Sequence, residues 1–206
     1  MKIRALLATL ALSLFAACGV AFADEAEQKP ITDLTPWAGE FVSAETFWTD
    51  ARTDEFYAKV ADEAKAQGKE IAPADVKAKM VLMYHALFTN AEIDATGITF
   101  TMKDEGNRVR VDYEYQGPIT DEEGGTWYLF TAKEINPENS QLANLVLTDV
   151  HGNPAHFHFR NGDVSGQELV KDPVFANWYG TMQMSDMTWE QYMEKKDPKR
   201  FVKFAL

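Results

Sequence analysis

Three of the four histidines of this chain lie within eight residues, at positions 151, 156 and 158. The first two flank Gly152-Asn153-Pro154-Ala155, in which Gly, Asn and Pro favour turns. This spacing predicts a four-residue hairpin loop with His151 and His156 facing each other on neighbouring strands. His158 lies two residues after His156 and points to the same side of its strand. The sequence therefore predicts three imidazoles on one face of a hairpin, with the phenylalanines at 157 and 159 on the other.

Three converging imidazoles suit Zn²⁺ or a similar borderline cation, because neutral imidazole is a common ligand of such ions. The fourth position would be left to water, a carboxylate or His85. The same register places Asp149 opposite His158, where its carboxylate could bind the metal or accept the second N–H of an imidazole. A turn slipped by one residue would put Val150 there instead. The alternative is a surface cluster of hydrogen-bonded histidines without a metal. We predict a metal site formed by His151, His156 and His158, with Asp149 and His85 as further candidates.

The chain has 206 residues, of which 46% are hydrophobic, and a formal net charge of −12. This composition is typical of one globular domain with a core of its own. The negative charge argues against binding nucleic acid or an anionic membrane surface, both of which require a positive surface. Cations, or partners with a basic face, remain compatible with it.

The N-terminal segment predicts export. Lys2 and Arg4 precede an apolar stretch over 5–15, and Ala21-Phe22-Ala23 resembles a signal-peptidase site. We predict a secretion signal over 1–23, a flexible leader over 24–36 and a single domain over 37–206. The protein would then be periplasmic, with no membrane insertion after cleavage. Anchoring as a lipoprotein through Cys18 is the alternative. Cleavage after Ala23 removes that cysteine, the only one in the chain, so any metal must be held by histidines and carboxylates.

The remaining pattern predicts helices over about 54–66 and 73–88, followed by strands. Apolar and polar residues alternate from Ile98 to Met102 and from Arg108 to Tyr115. Further strands are predicted over 127–132, 144–151 and 155–160, and Thr188-Trp189-Glu190-Gln191 resembles a capping box that opens a final helix. These elements predict an α+β fold, mainly β, built as a small antiparallel barrel or strongly curled sheet with flanking helices.

The segment from His151 to Phe159 resembles the His…His-Phe-His signature of the ZinT family, bacterial periplasmic zinc-binding proteins. Other motifs of that family are similar to segments spread from Trp37 to Tyr192. These are Trp37-x-Gly39-x-Phe41-x-Ser43, Tyr84-His85, Trp127-Tyr128-Leu129-Phe130 and Asn177-Trp178. The chain departs from the family in a shorter spacer between its first two histidines. It also departs in the position of the acidic residue before His151, displaced by one, and in a leader after Ala23 that lacks the His-rich tract of some members.

This resemblance implies a lipocalin-like (calycin) barrel with accessory helices. It also implies binding of zinc, and of cadmium, through His151, His156 and His158. Members of the family are thought to aid zinc acquisition by handing the metal to the substrate-binding protein of a zinc ABC transporter. The same domain occurs fused to such transporter components in some Gram-positive bacteria.

We therefore expect a periplasmic protein that buffers or delivers Zn(II) and is not an enzyme. Two alternatives remain at this stage. A zinc enzyme is compatible with three histidines and a metal-bound water, although neither an HExxH nor a GxSxG motif is present. A barrel that binds an apolar ligand, lined by Tyr113, Tyr115 and Trp127, would leave the histidines incidental.

Overall fold

The computed structural model describes residues 30–104 and 106–206. The predicted secretion signal and Cys18 lie outside these residues. In the described part, eight antiparallel strands close into a barrel in chain order, with the last strand beside the first. The predicted α+β fold with an antiparallel barrel is confirmed. No helix within the described ranges has the length and apolarity required to cross a membrane.

The barrel strands are β1 (Gly39–Ser43), β2 (Phe88–Ile93), β3 (Gly97–Met102), β4 (Arg108–Thr120), β5 (Thr126–Ala132), β6 (Asn144–Leu147), β7 (His156–Gly162) and β8 (Gly180–Met184). The helices are α1 (Glu45–Thr49), α2 (Asp54–Ala66), α3 (Pro73–Met83), α4 (Gly166–Lys171), α5 (Trp189–Glu194) and α6 (Pro198–Ala205). The first strand, the second strand and the last strand were not predicted from the sequence. The predicted capping box at the start of α5 is present.

The interior of the barrel is a continuous apolar core to which every strand contributes. Phe157 and Phe159 of β7 point into it, as predicted, and each is almost fully buried. Some of its aromatic rings meet edge to face, as do those of Phe41 and Phe157, whose centroids lie 5.0 Å apart. Tyr113 belongs to this core, whereas Trp127 packs on the outside of the barrel against α4. The inward face of the sheet is thus filled by side chains of the protein itself.

A second core lies between the barrel and the helices α1, α2, α3, α5 and α6. Its centre is Trp48, which stacks on Tyr84 at 5.1 Å between ring centroids and contacts Phe201 at 5.4 Å. The buried apolar residues of α2, from Phe56 to Ala64, belong to this core. Helix α3 ends at Met83 and not near 88 as predicted, because Phe88 begins β2 and is buried inside the barrel.

Residues 24–29 of the predicted leader lie outside the described residues, and its last part contacts the barrel. Leu34 is almost fully buried in the barrel core, and its N–H donates to the carbonyl of Ala95 at 3.4 Å. The indole Nε1 of Trp37 donates to the carbonyl of Thr148 at 2.8 Å. These contacts tie the start of the fold to the segment that leads into the histidine hairpin.

One buried carboxylate joins the helical layer to the barrel. Glu45 of α1 accepts the N–H of Ala86 at 2.7 Å and pairs with the ammonium of Lys103, while Nδ1 of His85 lies 3.5 Å from the same oxygen. Burial by itself raises the pKa of Glu45, but the hydrogen bonds from His85, Lys103 and Ala86 outweigh it and lower the pKa overall. This carboxylate therefore stabilises the fold in its ionised form.

We expect Glu45→Ala to lower the free energy of unfolding by about 2–3 kcal/mol at neutral pH, because it leaves a buried N–H and an ammonium unpaired. Because the pKa of Glu45 is lowered in the folded state, its carboxylate contributes fully to stability above the ordinary carboxyl pKa of about 4.3. That contribution is lost as pH falls through the lowered pKa. The difference between wild type and variant should therefore shrink at about pH 3. Urea unfolding at both pH values measures this. Glu55→Ala, which removes only an exposed pair with Lys59, is the matched control. An equal loss in the control, or a pH-independent one in Glu45→Ala, would contradict this role.

Candidate metal centre

The predicted hairpin is present. His151 and His156 form an antiparallel bridge in which each backbone N–H donates to the other residue's carbonyl at 2.8 Å. The turn between them requires glycine at position 152, where φ is +82°. A Cβ atom there would also stand 2.5 Å from the imidazole of His156. The backbone of the turn therefore approaches the ring closely enough to restrict its position.

The structure brings the three predicted histidines together. One ring nitrogen from each lies within 4.8 Å of the others, and this is the one such group of three or more candidate ligands in residues 30–104 and 106–206. The ring centroids are 4.5, 5.1 and 5.5 Å apart. Nitrogens bound tetrahedrally to zinc at about 2.0–2.1 Å would be about 3.4 Å apart. Small rotations of the rings would therefore bring all three nitrogens within bonding distance of one ion.

Two of the imidazoles are held by backbone carbonyls. Nδ1 of His151 lies 2.7 Å from the carbonyl oxygen of Asp149, and Nδ1 of His156 lies 3.0 Å from that of Pro154. Because a carbonyl oxygen can only accept, each Nδ1 must carry the proton and donate it. The lone pair of each ring is then on Nε2, which is free to bind a metal.

The third imidazole is held by a hydroxyl group with the same result. The Thr181 hydroxyl donates to the carbonyl of Tyr179 at 2.7 Å, so it can only accept from Nδ1 of His158, 2.9 Å away. Thr181 is buried on β8, opposite His158 in the sheet. All three rings therefore carry the proton on Nδ1 and expose the lone pair of Nε2.

The surroundings of His156 and His158 favour the neutral form of their imidazoles. Burial, followed by the neighbouring rings of His156 and His151, lowers the pKa of His158 to about 4. Burial also lowers the pKa of His156, with smaller contributions from His151 and the ammonium of Lys196. A metal ion binding near neutral pH would not need to displace a proton from these two ligands. His151 is exposed, so the three-histidine group is open to solvent on one side.

Asp149 is not where the register of the sequence placed it. Leu147 pairs with Phe159, and the N–H of Thr148 donates to the carbonyl of His158 at 3.0 Å. Thr148 therefore lies opposite His158, and one extra residue precedes His151, which is a β-bulge. The Asp149 carboxylate accepts from the hydroxyl of Tyr128 at 3.4 Å and stays outside the three-histidine group. Asp149 orients an imidazole through its backbone carbonyl and not through its side chain.

His85 also lies outside the three-histidine group. It follows α3 and contacts the buried carboxylate of Glu45. Thr181 and the carbonyl of Pro154, which orient two of the rings, were not predicted from the sequence. A carbonyl carries no residue-type signal, and the strand that holds Thr181 was itself not predicted.

The imidazoles lie on the outward face of the sheet, since Phe157 and Phe159 alternate with them and point into the barrel. Thr181 and Gln183, buried on the outward face of β8, pair with His158 and His156. The histidine group is thus separated from the barrel interior by the sheet itself. An apolar ligand inside the barrel would compete with a filled core and would not contact the three rings.

The sequence matches the model of the ZinT (YodA) periplasmic lipocalin-like zinc-recruitment family over residues 17–195. No curated protein matches it. Among solved structures, the fold is similar to Zn(II)-bound AdcA from Streptococcus pneumoniae, with 21% identity and a TM-score of 0.58. That alignment covers 82% of this chain and 35% of AdcA, so this chain spans about a third of AdcA. The Zn(II)-bound ZinT-like domain of AdcA aligns with 22% identity and a TM-score of 0.56, over 88% of this chain and 94% of that domain.

At these identities the two solved structures show a shared fold. The family model extends over most of the chain and includes the three histidines. The resemblance noted in the sequence is thereby confirmed. This chain belongs to the ZinT family of periplasmic lipocalin-like zinc-recruitment proteins.

Proposed function

We propose that this protein binds Zn(II) reversibly in the periplasm through Nε2 of His151, His156 and His158. We further propose that it delivers the ion to the substrate-binding protein of a zinc ABC transporter. One observation carries the binding site: in three rings whose candidate ligand nitrogens lie within 4.8 Å of one another, each Nδ1 donates to an oxygen that can only accept, which leaves the lone pair on Nε2. The proposed ligands are therefore oriented before the metal arrives, which lowers the cost of assembling the site.

Zinc is the ion that this donor set and the comparisons support. Three neutral imidazoles without a thiolate suit borderline divalent ions, and the same nitrogens would accept cadmium and other members of that group. Zinc recruitment is the described role of the family, and the AdcA structures of similar fold contain zinc. The negative charge of the chain would raise the local concentration of such cations.

Reversible binding is favoured over catalysis. Within the part of the chain that the structure describes, no carboxylate joins the three histidines. The group itself therefore offers no carboxylate as a general base for a zinc-bound water. The fourth position would instead be open to water or to a ligand from an acceptor, and exchange through such a position allows the ion to leave.

Delivery to a transporter component is supported by the chain in which a similar fold occurs. A domain of the same fold forms part of the longer, zinc-bound AdcA chain. The sequence resemblance implies fusion of such domains to substrate-binding proteins. A separate chain with the same domain would perform the same transfer between two molecules. The export signal predicted at the N-terminus and the periplasmic location of the family support such a transfer within one compartment.

We expect calorimetric titration of the metal-free protein to show about one zinc ion per chain, and no binding in His151→Ala/His156→Ala/His158→Ala. Each single substitution should weaken binding by about 100-fold or more, because it removes a direct ligand. His85→Ala is the matched control and should bind as the wild type does. Undiminished binding in the triple variant would overturn the proposed site, whereas weakened binding in His85→Ala would add a ligand to it.

We expect Thr181→Val to reduce zinc affinity by about 10- to 100-fold, because Nδ1 of His158 loses its acceptor and the ring loses its orientation. Thr181→Ser retains the hydroxyl and should bind nearly as tightly as wild type. Competition with a chromogenic chelator measures both affinities, and thermal unfolding verifies that both variants fold. Equal affinities in the two folded variants would show that the hydroxyl does not position the ring.

A further inference from the structure

An open groove of about 740 Å³ lies beside the histidine hairpin, between the end of α3, the turn that follows α4, and α6. Its lining is mostly apolar and includes Met83, Trp178 and Phe204. Leu82 and Val174 also line it, with 73% and 74% of their surfaces exposed. Large apolar side chains this exposed and this close together are unusual on a monomer surface, and they mark interaction sites.

The lining side chains that can carry a charge are Lys79, Lys203 and His85. No aspartate or glutamate lines it, although the chain carries a net charge of −12. In the described part of the chain neither lysine has a carboxylate partner, and the ammonium of Lys203 lies over the ring of Phe204 at 4.5 Å. The groove is therefore a basic, apolar site on an acidic protein.

The groove is adjacent to the histidine group through Tyr179. The N–H of Tyr179 donates to the carbonyl of Met83, which lines the groove, at 2.7 Å. Its ring meets that of His158 edge-on, with 6.2 Å between centroids. The preceding residue, Trp178, lines the groove and donates through Nε1 to the carbonyl of His85 at 2.7 Å. Tyr179 therefore lies between the groove and His158, one of the proposed zinc ligands.

We propose that this groove is the docking surface for the protein that accepts the zinc, and that it binds an apolar segment flanked by carboxylates. This inference rests on the proposed function. Charge complementarity selects the occupant: carboxylates would pair with Lys79 and Lys203, and apolar side chains would cover Leu82, Val174 and Phe204. The net negative charge of the rest of the protein repels an acidic partner. Attraction by the two lysines and repulsion elsewhere together fix the orientation in which the partner docks. Docking here would bring the acceptor close to His158 through Tyr179.

Zinc transfer to the metal-free substrate-binding protein of the zinc ABC transporter from the same genome tests this docking surface. The zinc-loaded donors would be the wild type, Lys79→Glu/Lys203→Glu and Leu82→Ser/Val174→Ser. All four substituted side chains are exposed, so the fold should be retained. Lys65→Glu/Lys133→Glu is the matched control, since it makes the same change in charge at exposed positions outside the groove. Stopped-flow transfer rates and sedimentation of the mixtures would be measured for each donor.

We expect both groove variants to bind zinc as tightly as wild type but to transfer it about tenfold more slowly or worse, with loss of the complex. The control should transfer as wild type does, and rising salt should slow wild type most. Transfer by the groove variants at the wild-type rate would overturn the docking surface while leaving delivery intact. Wild-type self-association that the groove substitutions abolish would assign the groove to a second copy and also overturn it. If the wild type binds zinc but does not transfer it, delivery itself fails.

Discussion

Each imidazole of the three-histidine group has its proton held on Nδ1 by an oxygen that has no proton to give in return. Two of these oxygens are backbone carbonyls, and the third is a hydroxyl whose own proton is committed to the carbonyl of Tyr179. Tautomer, ring orientation and direction of the lone pair are thus set by one set of hydrogen bonds. The proposed binding of zinc depends on this arrangement more than on the mere presence of three histidines.

The fold places the hydrogen-bond acceptors of the three Nδ1 atoms because packing in the barrel and the backbone of the turn both restrict the hairpin. Phe157 and Phe159 point into the barrel core. Because side chains alternate along a strand, His156 and His158 must then face outward. The β-bulge before His151 turns the carbonyl of Asp149 towards that ring, and the cramped turn at Gly152 presents the carbonyl of Pro154 to the next ring. Burial that stabilises β7 and β8 also lowers the pKa of His158, which keeps that ligand neutral. Stability of the sheet and readiness for metal therefore come from the same packing.

The sequence predicts the histidine cluster and the barrel well, for physical reasons. Turn-forming residues between two histidines determine a local register, and strict alternation along β4 shows a half-buried strand. Position 149 was misplaced because a bulge adds one residue without any change in residue type that marks it. Thr181 was missed because its role depends on strand pairing distant in sequence, and the groove was missed because three separate segments form it. Leu34 lies in a polar, proline-containing stretch, and nothing in that stretch of sequence marks its side chain as buried.

The central claim is that zinc binds Nε2 of three pre-oriented imidazoles on the outward face of the sheet. Long-range ¹H–¹⁵N correlation spectra of the ¹⁵N-histidine-labelled protein, recorded with and without one equivalent of zinc, test this claim most directly. We expect His151, His156 and His158 to be protonated on Nδ1 in both spectra, with zinc shifting only their Nε2 signals and leaving His85 unchanged. Protonation on Nε2 in the metal-free protein, or zinc-induced shifts at Nδ1, would contradict it.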